Sequence, residues 1–410
     1  ESVQLVIHLK NIGKKAKNVI AELETINPDI SITNKSNNFG TIGINDVVNN
    51  EANPFSFSIS PDTKTDLFPF ILNITADENY TETDYFFAGT LLLVDDDGGA
   101  NYENNIIPKL QQTKIRYAYW ETKITGIPSD TLSDFKTMIW FTGDDRDSTL
   151  TVNEQSIITD FLNVGGRFLL SGQNIGYDLV ENGSEADSTF FCNYLHAQYS
   201  ADNVNQTMLI GIPGDPITHS LFLNFSGDYR GAGNQTSPDV IIPINQAAPM
   251  LKYIPSMECA GLHYYDKTRG SYLIFLPFGL EGIAGPYEDS AEKFIRNCLV
   301  WMSGTTEVKE KIVNPEIPTK FYLEQNYPNP FNTSTNINYH LPEACQVKLT
   351  IFNIRGQKVR ALVDGRKQPG IYHTLWDGRD DFARSVTSGI YFYKLETENF
   401  NQTNKMIFLF

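Results

Sequence analysis

The sequence predicts a multidomain protein in which a β-sandwich, a doubly wound α/β domain and a C-terminal β-sandwich follow one another. The length of 410 residues suffices for roughly two to four domains. Hydrophobic residues make up 41% and aromatic residues 12% of the chain, which excludes wholesale disorder. The hydrophobic periodicity changes twice, so we place the domains at 1–86, 87–304 and 321–410, with a charged, proline-containing linker at 305–320.

Residues 1–86 alternate apolar and polar side chains with a period of two. Val3 and Leu5 belong to one apolar face, and Phe55 and Phe57 belong to another. Turn segments such as NPD and SPDTK separate these runs. The pattern predicts about six or seven short strands in an antiparallel sandwich. It resembles the small immunoglobulin-like spacer domains of large secreted bacterial proteins.

From about residue 87 onward, continuous apolar strands alternate with helical segments. GTLLLV at 89–94 and TMIWFTGD at 137–144 indicate strands, and TVNEQSIITDFLNVG at 151–165 indicates a helix. This alternation is typical of a parallel sheet that helices cover on both faces. We expect an amphipathic helix at 289–303 to close the domain. Further strands are expected at RYAYWE, at GRFLLSGQ and near 207–212, 239–244, 259–266 and 271–279.

Three segments of this domain, LLLVDDDGG, IWFTGDD and GGRFLLSGQNIG, resemble flavodoxin-like domains of the class I glutamine-amidotransferase superfamily. The closer resemblance is to the non-catalytic members that are embedded in secreted bacterial proteins. The superfamily implies a nucleophilic Cys on the tight turn after FLLSGQ. The segment Leu169–Gln173 contains no Cys, and Ser171 lacks the G-x-S-x-G spacing. We therefore expect Ser171 to be a turn residue and this chain to have no catalytic residue.

The histidines and cysteines show no spacing that predicts chemistry. His196, His219 and His263 stand in separate segments, outside any H-x-E or H-E-x-x-H pattern. The four cysteines stand far apart without a CxxC pair, which argues against a metal site or a disulfide framework. We expect all four to be small buried hydrophobic residues: Cys192, Cys259, Cys298 and Cys345.

Six carboxylates follow two strands that are neighbours in a flavodoxin-like sheet, namely Asp95, Asp96 and Asp97 after the first and Asp144, Asp145 and Asp147 after the third. Ligands bind at the carboxyl ends of such neighbouring strands. Converging like charges need a cation or hydrogen-bond donors, and Ca²⁺ or Mg²⁺ prefers oxygen ligands. One hypothesis is a structural Ca²⁺ site formed by these residues other than Asp147. The alternative is that they cap the loops and the helix that begins near Tyr102.

Residues 321–410 return to β periodicity and contain YPNPFN, NIRGQ, WDGRD and SGIYFY in that order. Pro328 and Pro330 predict a rigid extended start that cannot pair as a central strand, and Gly356 predicts a hairpin turn. The four motifs resemble the C-terminal sorting domain of proteins that the bacterial type IX secretion system exports. That domain is related in fold to the immunoglobulin-like domain of the flagellar hook-capping protein. One departure is the ending IFLF, where such domains commonly finish with a basic residue.

Charge restricts the possible partners. The chain has 32 Lys and Arg against 49 Asp and Glu, and a net charge of −17. Residues 321–410 hold ten basic and eight acidic side chains, so the excess of acid belongs to the first two domains. This balance argues against nucleic acid or an anionic membrane surface as a partner. No apolar run approaches the roughly 18 residues of a membrane span.

These patterns lead to an expected function. We expect a non-catalytic C-terminal region of a secreted or surface-anchored bacterial protein. The sorting domain would engage the outer-membrane export machinery, and the other domains would provide spacing and binding. Tyr and Asn side chains in 177–235 offer a protein- or glycan-contact surface, or only furnish an irregular insertion. The alternative is the tail of a larger secreted hydrolase, most plausibly a peptidase, because the chain starts within a strand-like pattern at Glu1.

Overall fold

A computed structural model of the chain describes residues 2–77, 80–129, 132–202, 206, 208–219, 221–225, 231–284, 290–304, 320–326, 329–332, 335–367, 370–382 and 384–409. The chain divides into two units, Glu1–Val313 and Asn314–Phe410. The first unit contains both the N-terminal β-sheets and the α/β sheet. The predicted linker 305–320 lies outside the described residues except for Lys320.

The described residues of the N-terminal part form nine antiparallel strands, more than the six or seven that the sequence predicted. They make a three-stranded sheet in the order β1-β7-β4, a four-stranded sheet in the order β5-β3-β8-β9, and a β2-β6 ribbon. The strands are β1 Ser2–Leu5, β2 His8–Lys10, β3 Ala16–Thr25, β4 Ile30–Asn34, β5 Ser36–Ile42, β6 Val47–Asn49, β7 Phe55–Ile59, β8 Phe68–Thr75 and β9 Thr81–Ala88.

Alternating side chains of these strands form the core that holds the N-terminal sheets together. Val19, Ala21 and Leu23 of β3 point inward and are buried. The rings of Phe57 and Phe70 meet with centroids 4.8 Å apart. The period-two pattern in the sequence is therefore confirmed by the burial of these residues.

The α/β sheet has nine strands and confirms the doubly wound, flavodoxin-like prediction. Its order is β11-β10-β12-β13-β20-β19-β18-β15-β16. The first five are parallel and have the 2-1-3-4-5 order of flavodoxin-like sheets, whereas the other four pair antiparallel. The strands of this region are β10 Thr90–Asp95, β11 Arg116–Glu121, β12 Thr137–Phe141, β13 Arg167–Ser171, β14 Ala197–Asp202, β15 Met208–Gly211, β16 Phe222–Asn224, β17 Asp239–Pro243, β18 Ala248–Ile254, β19 Cys259–Asp266 and β20 Ser271–Leu276.

Helices cover both faces of this sheet. Helices α1 and α5 pack against one face, and α3 and α4 pack against the other. The helices are α1 Glu103–Gln112, α2 Thr122–Thr125, α3 Val152–Asn163, α4 Glu185–Asn193 and α5 Ser290–Met302. In the described part of the chain, no helix has the length and apolar character that crossing a membrane requires.

The expectation of an irregular insertion at 177–235 is wrong for much of that segment. It contains α4 and also β14, which pairs with β17 in a separate two-stranded sheet. A capping box between Ser184 and Asp187 starts α4, as one between Thr151 and Glu154 starts α3. Helix α4 was not predicted because its apolar residues are not concentrated on one face of the helix.

Polar contacts join the N-terminal strands to the α/β sheet within the first unit. Asp66 accepts hydrogen bonds from the Lys136 backbone N–H at 2.8 Å and the Thr137 hydroxyl at 2.7 Å. The Arg167 guanidinium, which is 4% exposed, donates to the carbonyls of Lys64 and Met302, each at 2.5 Å. One side chain thus ties the sandwich, strand β13 and the end of α5 together.

The second unit is an antiparallel sandwich around Trp376, whose side chain is fully buried between Phe331, Tyr391 and Phe408. Its sheets have the orders β21-β23-β26 and β22-β28-β27-β24-β25. Strand β22, which directly follows Pro330, lies at a sheet edge and pairs parallel with β28, in agreement with the predicted non-central start. Pro328, the other residue of that prediction, lies outside the described residues. The strands are β21 Tyr322–Leu323, β22 Phe331–Asn332, β23 Thr335–Leu341, β24 Cys345–Asn353, β25 Lys358–Lys367, β26 Gly370–Trp376, β27 Gly389–Glu396 and β28 Asn401–Leu409.

The predicted turn between β24 and β25 is confirmed. Gly356 has a φ of +73°, a left-handed conformation that glycine adopts without strain. The side-chain oxygen of Asn353 accepts hydrogen bonds from the backbone N–H groups of Arg355 and Gln357. Asparagine and glycine together therefore close this hairpin.

We predict that Arg167→Leu destabilises the first unit by about 2–4 kcal/mol, because it leaves two partly buried carbonyls without their donor. Urea unfolding followed by circular dichroism measures the change. The matched control is Arg116→Leu, an exposed arginine of the same sheet, for which we expect a change below about 0.5 kcal/mol. Equal effects of the two substitutions would refute a special role for Arg167.

Candidate functional site

The acidic residues of the sequence analysis lie where β10 and β12 end side by side. These strands are parallel neighbours, with Asp95 in register with Phe141. Strand β11 continues the sheet on one side and β13 on the other, so the strand order reverses between β10 and β12. This is the topological switch point at which open α/β sheets bind ligands.

Asp97 organises the loop that leads into α1. Its carboxylate accepts hydrogen bonds from three backbone N–H groups, those of Gly99, Ala100 and Tyr102, each at 2.8 Å. The side chain is 3% exposed. Three donors satisfy this buried carboxylate and also the backbone of a tight turn before the helix.

Asp95 and Asp96 are held by side-chain donors of neighbouring strands. The Tyr119 hydroxyl donates to Asp95 at 2.5 Å. The Thr122 hydroxyl and the Trp140 indole N–H donate to Asp96 at 2.6 and 3.0 Å. Burial is the main reason that the pKa of each carboxyl rises to about 7. Both groups consequently change protonation state near neutral pH.

The second acidic loop is more exposed. The Tyr102 hydroxyl donates to Asp144 at 2.7 Å. Asp145 is half-buried, and burial followed by the nearby charges of Asp144 and Asp97 raises its pKa to about 6. Asp147 is exposed.

The structure brings only part of the predicted cation site together. Asp95 and Asp97 join Glu103, a residue that the sequence analysis missed, in a group whose ligand oxygens lie within 4.8 Å of one another. Asp96, Asp144 and Asp145 do not belong to this group. Four of the five predicted ligands already accept hydrogen bonds from protein donors. The arrangement gives the calcium hypothesis no support, and the hypothesis stays a prediction.

A tight turn follows β13 at Asn174, one residue beyond the segment Leu169–Gln173 that the resemblance indicated for a nucleophile. Asn174, which is 3% exposed, has a φ of +67° at the start of the following helical turn. Its amide group donates to the Asp145 carbonyl at 3.2 Å and accepts from the Ser237 hydroxyl at 2.6 Å. A left-handed residue between strand and helix is the geometry of a nucleophile elbow, and asparagine tolerates it. The sequence signal was the Asn within the segment GQNIG.

Ser171 has a structural role. Its side chain is fully buried at the end of β13. The hydroxyl donates to the Phe278 carbonyl at 2.9 Å and accepts from the Leu280 N–H at 2.6 Å. Because both capacities of the hydroxyl are used by backbone groups, Ser171 fastens β13 to the segment that follows β20.

The histidines and cysteines lie apart from this turn. The His219 ring accepts from the Gly214 N–H at 2.8 Å, and His263 pairs with Asp215 at 2.8 Å. Burial lowers the pKa of His196 to about 4. Cys298 and Cys345 are buried as expected, whereas Cys192 and Cys259 are only half-buried, so that expectation is wrong for two of the four.

We predict that Asp96→Asn changes the pH dependence of stability. The carboxyl has a pKa near 4 in an unfolded chain and about 7 in the fold, so its contribution is present below pH 4 and is lost as the pH rises to about 7. At pH 8 the variant should be more stable than the parent by about 1–2 kcal/mol, after a discount for partial exposure. At pH 4 this advantage should vanish. Urea unfolding at both pH values measures it.

The matched control is Asp160→Asn, an exposed carboxyl on α3. We expect the difference in unfolding free energy between this variant and the parent to be the same at pH 4 and pH 8. An advantage of Asp96→Asn that is equal at pH 4 and pH 8 would contradict the raised pKa.

Comparisons with known proteins identify the second unit. Residues 325–409 match the family model of the secretion system C-terminal sorting domain. A search of curated proteins found no match to the sequence.

Several solved structures are similar in fold. FlgD from P. aeruginosa is 20% identical, covers 18% of this chain and has a TM-score of 0.15; the chain spans 57% of the FlgD chain. A glutamine amidotransferase from Thermotoga maritima is 12% identical over 52% of this chain and 97% of its own, with a TM-score of 0.35. Dimeric latent PorU from Porphyromonas gingivalis is 11% identical over 96% of this chain and 30% of its own, with a TM-score of 0.20. Residues 325–409 are a secretion system C-terminal sorting domain, and this domain indicates secretion across the outer membrane, often with attachment to the cell surface.

Proposed function

We propose that this chain is a non-catalytic binding region of a protein exported by the type IX system. The sorting domain directs export through the outer-membrane machinery, and the first 304 residues provide spacing and binding. The observation that carries this proposal is the family match over 325–409. The fold of the α/β domain is that of many enzymes, but function depends on the residues at the site.

The strained turn after β13 supports the absence of catalysis. It presents Asn174, whose carboxamide is not a nucleophile at neutral pH. The nearby Ser171 is fully buried with both hydrogen-bonding capacities used. In the described part of the chain, no histidine hydrogen-bonds to either residue. Catalysis at this turn would need a nucleophile, a base beside it and a position that a substrate can reach.

The acidic loops support a binding role. Asp95, Asp96 and Asp145 lie at the switch point and have pKa values raised to between about 6 and about 7. Perturbed carboxyls at a strand-end site are typical of functional positions. They would favour a ligand that supplies hydrogen-bond donors or positive charge.

We predict that deleting residues 321–410 abolishes export. In a bacterium that has the type IX system, the truncated chain should accumulate in the periplasm, whereas the full chain reaches the cell surface or the medium. Immunoblots of the fractions measure the distribution. Trp376→Ala, which empties the centre of the sandwich core, should give the same retention because recognition needs the folded domain.

The control for export is the full chain carrying Asp160→Asn, which should be exported like the parent. Appearance of the truncated chain outside the cell would overturn the role of the sorting domain.

The alternative of a catalytic module before Glu1 stays a prediction. Peptide mass mapping of the protein isolated from its source tests it. Peptides that map upstream of Glu1 and match a peptidase would favour the alternative. An enzymatic turnover that disappears in Ser171→Ala would contradict the non-catalytic proposal for this chain.

A further inference from the structure

A cavity of about 400 Å³ lies beside the turn between β19 and β20, away from the acidic loops. The end of β19, the turn residues Lys267 and Thr268, Gln246 and Trp301 of α5 line it. Its size is at the lower end of the range for small-molecule sites in proteins. None of these lining residues belongs to the turn after β13.

One wall of the cavity is aromatic and preformed. The Trp301 ring packs against His263 and Tyr272, with centroid distances of 4.8 and 5.0 Å. Tyr265 packs on Tyr272 at 4.5 Å and is 41% exposed. Because each ring packs against another, this surface is rigid. Its side chains would therefore lose little conformational entropy when a ligand binds.

A buried carboxylate sets the hydrogen-bonding character of His263. Its Nε2 lies 2.8 Å from Asp215, which is 8% exposed and also accepts from the backbone of Ile217 and Thr218. Because a carboxylate accepts hydrogen bonds, Nε2 is the donor in this contact. In the described residues, Nδ1 has no protein partner.

The cavity lining also includes three exposed polar side chains. The side chains of Gln246, Lys267 and Thr268 have no hydrogen-bond partner within the described ranges of the chain. Asp266 fixes the turn that presents two of them, since its carboxylate accepts from the N–H groups of Thr268 and Arg269 at 2.8 and 3.1 Å. Amide, ammonium, hydroxyl and imidazole groups therefore surround one aromatic wall.

We propose that this cavity binds one hexopyranose ring of a glycan. The apolar C–H face of a sugar ring fits against Tyr265 and Trp301, and its hydroxyls both donate and accept, as the groups of Gln246, Thr268 and His263 require. A purely apolar ligand would leave those groups unpaired. A phosphate-like anion is disfavoured because Lys267 is the single Lys or Arg among the lining residues, all of which the structure describes.

This inference rests on the proposed binding role and gives that role a ligand class. It predicts that the full chain binds at least one of the methyl glycosides of glucose, galactose, mannose and N-acetylglucosamine. Saturation-transfer difference NMR detects the binding, and titration of the signal gives the Kd. Tyr265→Ala should weaken that Kd at least tenfold, because it removes the exposed half of the aromatic wall.

The matched control is Tyr80→Ala, which truncates a 50% exposed tyrosine of the N-terminal sandwich and should leave the Kd unchanged. A second variant, His263→Gln, keeps a donor for Asp215 and should also weaken binding while the melting temperature stays close to that of the parent. The second variant preserves the test if Tyr265→Ala fails to fold.

Absence of saturation transfer from all four glycosides overturns the inference, and so does binding that survives both cavity variants. Export is measured separately in the fractionation experiment. A chain that is exported but binds no glycoside refutes the glycan site and leaves the sorting role intact. A chain that binds a glycoside but is exported without its sorting domain supports the glycan site and refutes the sorting role.

Discussion

The burial of four parallel strands on both faces is the constraint on which the first unit depends. The apolar side chains of β10, β12, β13 and β20 are almost completely inaccessible to water. Each strand ends at the same edge of the sheet, where the chain must turn away without leaving polar groups unpaired. The hydrogen bonds of Asp97, Ser171 and Asn174 are the solutions to that problem.

The same constraint shapes the turn that follows β13. The close approach of the strand ends leaves no room for a side chain at Gly172, where an added Cβ would lie 1.9 Å from the Thr142 hydroxyl. In that turn, Asn174 takes the left-handed position. Desolvation at the edge also raises the pKa of Asp95 and Asp96, so the packing of the strand ends accounts for these perturbed carboxyls.

Both units contain many β-strands, but they differ in charge and in the sites that they carry. The sorting domain is a sandwich with a slight excess of basic residues, and its family match gives it a defined role in export. The first unit carries the acidic excess, a strand-end site and a separate aromatic cavity. Arg167 and Asp66 couple the N-terminal sheets to the α/β sheet, so binding surfaces on either part would be held by one folded unit.

Periodicity and motif order determined the fold classes, since a buried parallel strand must be continuously apolar and a sandwich strand must alternate. They also predicted the loop that Gly356 closes and the meeting of the two acidic loops. Only the tertiary structure decided which groups meet, because contacts between distant residues leave no local pattern. It placed Glu103 beside Asp95, gave the strained turn to Asn174, and brought His263 to Asp215 and Trp301 from three separate segments.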